Sequence, residues 1–369
     1  MANTEMSIFD LLPDQDADQY RPKKSDDWKW TFADYPKEKN GIKVFSCFAC
    51  GGGSTMGYKL AGCEVLGCCE IDPKMNERYI ANHHPMYNFC MDIREFNKLS
   101  NKQIPEKLFH LDILDGSPPC TTFSMSGKRE ESWGKKKKFR EGQAEQTLDD
   151  LSFVFIETVA KLKPRCVIME NVEGLLKGGA WSYVQKIYKK FEGTGYQVKH
   201  WLCKGENMGV PQQRHRVFFI ALRKDNPYDL ADLDMSFNYE PVTFGQIKTQ
   251  QGTDILGQKL KFLAQNIEYG DSDLSDVMGR IYNKPNSLFS HKIIYDDKVC
   301  KTLTAKSCDI RYDTRQYLSV EDVINAQTFP QDYDFGQRSN SNVAYICGMA
   351  VPPLMIKRIV QRLIDSGVL

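Results

Sequence analysis

In this chain a thiol directly follows two prolines, Ser117, Pro118, Pro119 and Cys120, at the close of the apolar run LDILDG. Proline holds φ near about −65°, so the thiol is presented stiffly at the end of a strand. A cysteine held this way suits nucleophilic work if a nearby cation or dipole favours the thiolate. Burial as an inert core residue is the ordinary fate of most of the twelve cysteines. A second apolar run, RCVIM, ends in Glu170 and Asn171. A partly desolvated carboxyl group there would have a raised pKa and could donate a hydrogen bond, where an ordinary acid would only cap a helix. Arg214 and Arg216 alternate along QQRHRV, which puts both on one side of a strand and His215 on the other. Two guanidinium groups on one face can hold a carboxylate, a base oxygen or a phosphate, unless they form a plain solvated edge.

A different chemistry is suggested upstream. KVFSCFA is a short apolar run that stops at Gly51, Gly52 and Gly53, ahead of a helix-like stretch. Glycines between strand and helix let the backbone approach a ligand and leave amides at a helix N-terminus. The next apolar run ends at Glu70, where nucleoside-binding folds place an acid for ribose hydroxyls. Asp92 falls where a third strand ends. Three polar stations at successive strand ends imply a nucleoside site without separating a nicotinamide from a sulfonium cofactor, although the spacing of Cys50, Gly52 and Gly53 breaks the G-x-G-x-x-G form.

These residues need a scaffold that brings several strand ends together. Strand-like runs alternate with helical patterns such as LDDLSFVFIETVAKL, which predicts an α/β, doubly wound and mostly parallel sheet. QQRHRVFFIALR closes that region with a strand; from residue 224 the rhythm is lost and a smaller, irregular domain is expected. Leu354, Ile356, Ile359, Val360 and Leu363 recur at helical spacing, so a terminal helix packs on a core. The first 40 residues read as a polar arm that Trp28, Trp30 and Phe32 could dock.

The hydrophobic fraction of 41% and charged fraction of 26% suit a soluble globular enzyme. A formal charge of +1 means that any nucleic-acid surface must be local. No run reads as a membrane span and the start is acidic where a secretory leader would be basic, so a cytosolic protein with reduced thiols is expected.

Taken together, the motifs resemble those of the DNA (cytosine-5) methyltransferases of bacterial and phage type. FACGGGSTMG is similar to the family's S-adenosylmethionine loop, SPPCTTFSMSGK to its catalytic loop, MENV to its glutamate motif, GVPQQRHRVFF to its arginine motif and GMAVPP to its closing motif, in the family's order. The resemblance implies a Rossmann-like methyltransferase domain over residues 41–223 and 342–369, a target-recognition domain over 224–341 and an arm over 1–40. It implies that Phe48 stacks on adenine, Glu70 binds ribose, and Asp92 with Ile93 meets the adenine edge. Ala49, Gly51, Gly52, Gly53, Ile71, Pro119, Leu151, Met349 and Ala350 complete that cofactor site. Cys120 would attack carbon 6 of a flipped cytosine in double-stranded DNA, Glu170 would bind ring nitrogen 3, and Arg216 would hold the exocyclic oxygen with Arg214 nearby. Ser124, Ser126, Lys128 and Arg129 would contact DNA, followed by the lysine run 135–138. Arg315 and SVEDVINAQTFP match the motif that braces the recognition domain, and Lys284, His291, Lys292, Lys298, Lys301, Lys306 and Arg311 give it a positive bias. Cys50 stands where the family usually has its first glycine, Thr121 where glutamine is usual, and Met349 where asparagine is usual. A monomer is expected, with a cognate restriction endonuclease as a separate partner.

Other readings stay open. The same scaffold serves RNA cytosine methyltransferases and DNA-binding homologues that have lost catalysis; a nicotinamide dehydrogenase is the remote alternative. Cys47 and Cys50 form a single C-x-x-C pair, too little for a metal site, and none is expected. His83 and His84 read as structural.

Overall fold

The computed structural model describes residues 22–119, 150–284, 288–306 and 308–369, with two short strand pieces at 136–137 and 146–147. Its centre is a seven-stranded sheet: β1 (Lys43–Cys47), β2 (Glu64–Glu70), β3 (Tyr87–Cys90), β4 (Ile113–Gly116), β5 (Cys166–Val172), β6 (Tyr196–Lys204) and β7 (His215–Arg223). The spatial order is β3-β2-β1-β4-β5-β7-β6. The first five run parallel, and β7 is antiparallel to both of its neighbours.

The strand sequences are nearly continuous apolar runs because both faces are covered. Phe45, Cys47, Leu114, Val167, Met169, Val217 and Phe219 point to one face, where α3 (Ile93–Lys98), α4 (Leu151–Leu162) and α5 (Trp181–Gly193) pack. Val44, Ile113, Cys166, Ile168, Phe218 and Ile220 point to the other, against Tyr58 of α1 (Gly53–Leu60) and the apolar side of α11 (Pro353–Asp365). Each such side chain contributes about 1.5–3 kcal/mol on burial. The helices begin where polar caps dictate. Asp72 accepts from the amides of Lys74 and Met75 ahead of Pro73 to start α2 (Pro73–His83), and Asp92 accepts from Arg94 N to start α3.

The stretch Asn340–Asp365 is apolar and long enough to span a bilayer by length and composition alone, more than the sequence reading allowed. Here 72% of its apolar window is buried within the fold, and it is divided into α10 (Asn340–Met349) and α11. Its hydrophobicity is used in the core.

Between β7 and α9 (Val320–Ala326) lie α6 (Phe244–Ile247), α7 (Gln258–Gln265) and α8 (Leu274–Tyr282). Ile255, Leu263, Leu274, Val277, Ile293, Tyr295 and Ile310 form a cluster of their own there. The flanks do not join it: Leu230, Leu233 and Met235 pack beneath the sheet, and Phe329, Tyr333 and Phe335 pack beside α1 and α2. Of the segment before β1, Trp28, Trp30, Phe32 and Tyr35 pack with this second group, whereas Lys23 N donates to the Asn238 carbonyl and Ser25 Oγ to that of Gly209. Trp30 is buried, its indole N–H donating to the Thr328 carbonyl at 2.8 Å, and Asp27 pairs with Lys357 and Arg358 at 2.6 and 2.7 Å.

Arg311 and Asp322 form an ion pair with both side chains at 0% exposure, tying the irregular region to α9. Thr249 completes it, its carbonyl and hydroxyl accepting from the guanidinium and its amide donating to the carboxylate at 2.8 Å. Removing one partner strands a buried charge, so Asp322→Ala should lower unfolding free energy by about 3–5 kcal/mol. Arg311→Met combined with Asp322→Asn should cost less than the sum of the single changes. Urea denaturation of Asp322→Ala, of Arg311→Met and Asp322→Asn singly, and of the two combined checks both statements.

Candidate active site

The parallel strands β1, β2, β4 and β5 end at one edge of the sheet, and the polar stations gather there. After β1 the chain turns through Phe48 (φ 56°), Cys50 (φ 49°) and Gly52 (φ 87°), three left-handed residues within five. A side chain at Gly52 would collide with the His83 ring, and one at Gly53 with the Val351 carbonyl. These glycines are therefore demanded by packing inside the protein as well as by any ligand. Glu70 is buried and forks across the turn, accepting from Cys50 N at 2.7 Å and from Asp72 N at 2.8 Å. Burial pushes its pKa up, with those amides pulling the other way.

Two adjoining cavities share Phe48 and Ile71. One, of about 100 Å³, is lined by Phe48, Cys50, Glu70, Ile71, Asp72, Met75, Ser117, Pro119, Tyr345 and Met349. The other, of about 10 Å³, adds Cys69, Met91, Asp92 and Ile93. Larger surface hollows, of about 440 and 480 Å³, lie at Leu256 and Arg315 and at Trp181, away from the strand ends where open α/β sheets bind ligands. An aromatic ring and an aliphatic chain facing one space, with carboxylates at both ends, fit a purine nucleoside: the walls can sandwich the base and the acids can accept hydroxyl and amino protons. Phe48, Glu70, Ile71, Asp92, Ile93, Pro119 and Met349 are thus brought together. Ala49, Gly51, Gly52 and Gly53 form the turn behind them. Leu151 is buried in the apolar cluster against which Phe48 packs, and Ala350 lies beside Gly53. Asp72, Met75, Ser117 and Tyr345 were not foreseen. Tyr345 stands four residues before Met349 on α10, a same-face spacing that could have revealed it.

At the neighbouring strand end, Glu170 accepts from Arg216 Nε at 2.7 Å, and Arg216 also donates to the His215 carbonyl at 2.7 Å. Asn171 Nδ2 reaches the Pro118 carbonyl at 3.4 Å, joining β5 to the segment that leaves β4. His215 faces elsewhere, 2.8 Å from Glu206 and 3.4 Å from Glu173. Arg214 is 2% exposed and donates to the carbonyls of Leu303 and Gly348, both at 3.1 Å. Burial depresses its pKa, and its hydrogen bonds make it a brace between the reaction edge, the irregular region and α10. Cys120, Thr121, Ser124, Ser126, Lys128, Arg129, Lys135 and Lys138 lie outside the described residues, while Lys136 and Lys137 of the lysine run form a short strand paired antiparallel with Gln146 and Thr147. In the irregular region Lys301 donates to the Ser272 carbonyl at 2.6 Å, Lys292 to the Thr302 carbonyl, and Lys298 sits 4.6 Å over the Tyr295 ring. The positive bias read there is partly engaged in internal contacts.

The family model for the C-5 cytosine-specific DNA methylase matches residues 42–365. The chain belongs to this family. It is a DNA cytosine-5 methyltransferase, and S-adenosylmethionine is its methyl donor. Among relatives of this methyltransferase, the type II methyltransferase M.AplI of Arthrospira platensis is 28% identical over 87% of this chain and 85% of its own length. M.HindV of Haemophilus influenzae is 26% identical over 88% and 97%. M.NgoPII of Neisseria gonorrhoeae is 31% identical over 52% of this chain, a match that spans half of that relative. Two solved structures share the fold: a protein encoded within an E. coli prophage, with TM-score 0.69, 17% identity and coverage of 88% and 99%, and a Spodoptera frugiperda DNMT2 variant, with TM-score 0.63, 15% identity and coverage of 88% and 100%.

Beneath the methyltransferase's reaction edge, Asp115 of β4 is fully buried, accepting from Ser46 Oγ at 2.6 Å and Tyr58 OH at 3.1 Å. Burial is the main cause that lifts its pKa from 3.8 to about 7. The native state therefore holds this proton where the unfolded chain has released it, and stability falls as pH rises from about 4 to about 7. Asp115→Asn keeps the neutral form. It should match the wild type near pH 4.5 and exceed it by about 2 kcal/mol or more at pH 8, read from urea midpoints at both values.

Proposed function

We propose that this methyltransferase modifies carbon 5 of one cytosine within a specific double-stranded DNA sequence, as the modification partner of a separately acting restriction endonuclease. The names of its type II relatives support that setting. We assign residues 41–223 and 342–369 to catalysis and 224–341 to target recognition, with 1–40 as an arm, and expect a monomer to suffice.

Phe48 and Ile71 would hold the adenine of S-adenosylmethionine, Glu70 its ribose, and Asp92 with Ile93 the adenine edge. When bound, the cofactor supplies an electrophilic methyl group on sulfonium. The target base lies inside a stacked duplex, so it must be extruded at a cost of a few kcal/mol. The Cys120 thiolate adds to carbon 6 and pushes electron density to carbon 5, which takes the methyl group. Glu170 bonds ring nitrogen 3 and Arg216 the exocyclic oxygen, stabilising charge as the adduct forms. Loss of the carbon-5 proton then expels the thiolate and restores the aromatic ring. Ser124, Ser126, Lys128 and Arg129 are the DNA contacts in this reading.

The observation that carries the proposal is a juxtaposition. Glu170 and Arg216 form a joined acid and guanidinium at one strand end, while Ser117 and Pro119, which lead into Cys120, line the cofactor cavity beside them.

Incubation with methyl-labelled S-adenosylmethionine and duplex DNA should yield 5-methylcytosine. Cys120→Ala should reduce the yield by at least about a thousandfold, and Glu170→Gln by about a hundredfold. Duplexes carrying 5-fluorocytosine, which has no carbon-5 proton to lose, should leave the wild type covalently attached to DNA. Undiminished product from Cys120→Ala, or labelling of tRNA in preference to DNA, would overturn the assignment.

A further inference from the structure

The family match begins at residue 42, yet the twenty residues before it contain Phe32, whose ring packs edge to face on His83, one of the supports of the cofactor turn. The Gly51 carbonyl accepts from Tyr333 OH at 2.7 Å and lies 3.2 Å from His83 Nε2. Neither Tyr333, His83 nor Gly51 lines the cofactor cavity, so this carbonyl is fixed from the side of the turn turned away from the ligand. His83 is enclosed by the Tyr79 ring at 4.7 Å, the Tyr333 ring at 6.4 Å and, edge to face, the Phe32 ring at 6.4 Å. Burial drives its pKa down to about 3, so the ring is neutral at physiological pH and donates Nε2–H to the carbonyl.

The arm is anchored where it does this. Trp30 donates to Thr328 and its carbonyl accepts from Gln331 N at 2.9 Å; Phe32 N donates to Asp332 at 3.0 Å. The rings of Trp30, Phe32 and Tyr35 pack within 5.5 to 6.1 Å of one another. Residues 328–333 thus meet the arm on one side and deliver Tyr333 to Gly51 on the other.

We propose that Trp30 and Phe32 act as a wedge seating His83 and Tyr333, which are positioning residues holding the turn 48–53 in its cofactor-binding shape. A turn with three left-handed residues has many lower-strain alternatives once its carbonyl is released, so affinity for the cofactor depends on supports that never touch it. The proposal rests on assigning the Phe48, Glu70 and Ile71 cavity to S-adenosylmethionine.

The test is equilibrium binding of S-adenosylmethionine by calorimetry to the full chain and to Tyr333→Phe, Phe32→Ala, His83→Gln, His83→Ala and Glu70→Ala, with duplex binding measured alongside. Tyr333→Phe loses one hydrogen bond with almost no change of volume. It should weaken cofactor binding about fivefold, and Phe32→Ala similarly, with faster amide exchange over residues 48–53 and DNA affinity within about twofold of wild type. His83→Gln, which keeps a donor toward Gly51, should bind more tightly than His83→Ala. If Glu70→Ala loses affinity while Tyr333→Phe and Phe32→Ala do not, the wedge is wrong and the cavity assignment stands. If Glu70→Ala binds as the wild type does, the cavity assignment itself fails. A lowered melting temperature in Tyr333→Phe with unchanged cofactor affinity would make the contact merely structural and overturn the proposal.

Discussion

Parallel hydrogen bonding between β1, β4 and β5 sets the register on which both ends of the site rest. Ser46 lies opposite Asp115 and Asp115 opposite Ile168, so Phe48, Ser117 and Glu170 all follow from one row of backbone pairs. Side chains alternate with a period of two, and slipping β4 by one residue would turn Asp115 toward Phe45 and Leu66 and lift Leu114 from its cluster. The apolar contacts on both faces forbid that slip. The same register leaves a buried acid between two hydroxyl donors, a polar contact with no partner left wanting. Its cost is tolerable because Asp115 can keep its proton at moderate pH.

A second constraint joins the chain's distant halves to this edge. Gln212, fully buried, donates to Gln327 Oε1 at 2.8 Å and accepts from Leu303 N at 3.0 Å; Gln327 donates in turn to the Ala350 carbonyl at 2.8 Å. With Arg214 reaching Leu303 and Gly348, a continuous set of buried hydrogen bonds links the start of β7, the irregular region, the end of α9 and the end of α10. Each member satisfies a backbone group left over by the others, so loss of one strands its partners in a low-dielectric interior. Arg214 belongs to this brace, whereas Arg216, two residues on, remains with Glu170 at the edge. Two arginines on one face therefore divide their work by depth.

Much of this was legible in sequence because burial on both faces writes itself as unbroken apolar runs. KVFSC, EVLGCCE, CVIMENV and HRVFFIALR are strands as read, and Leu354, Ile356, Ile359, Val360 and Leu363 are all at most 1% exposed. The edge strand β6 was not read, since YQVKHWLCK has one side partly in solvent and mixes lysine and histidine with its apolar residues. Glu70 was found because a strand end marks its place, and Phe48 through the resemblance of FACGGGSTMG to the family's cofactor loop. Asp72 reads as a helix cap just past the strand end, and Met75 and Tyr345 reach the cavity through helix packing, for which the same-face spacing of Tyr345 and Met349 is the one local signal. That Trp30 and Phe32 could dock the arm was legible from their alternation with polar residues, but the place was not: Trp30 meets Thr328 across 298 residues of chain.

The turn at residues 48–53 shows how a departure from a family pattern can be absorbed. Position 50 adopts φ 49°, a left-handed conformation in which glycine carries no penalty and an L-residue loses roughly 1–2 kcal/mol. Cysteine occupies it here. The strain persists because the conformation is determined from several directions at once: Glu70 holds the Cys50 amide, Gly52 N donates to the Ala49 carbonyl at 2.8 Å, Phe48 N donates to the Cys69 carbonyl at 2.9 Å, and Tyr333 and His83 hold Gly51. A turn fixed by its own residues would need glycine at 50. One fixed by β2, α2 and the segment before α10 can accept a side chain there, and that side chain becomes part of the cavity wall. Local pattern and tertiary support are thus interchangeable to a degree, which is why a motif can lose its first glycine and keep its shape.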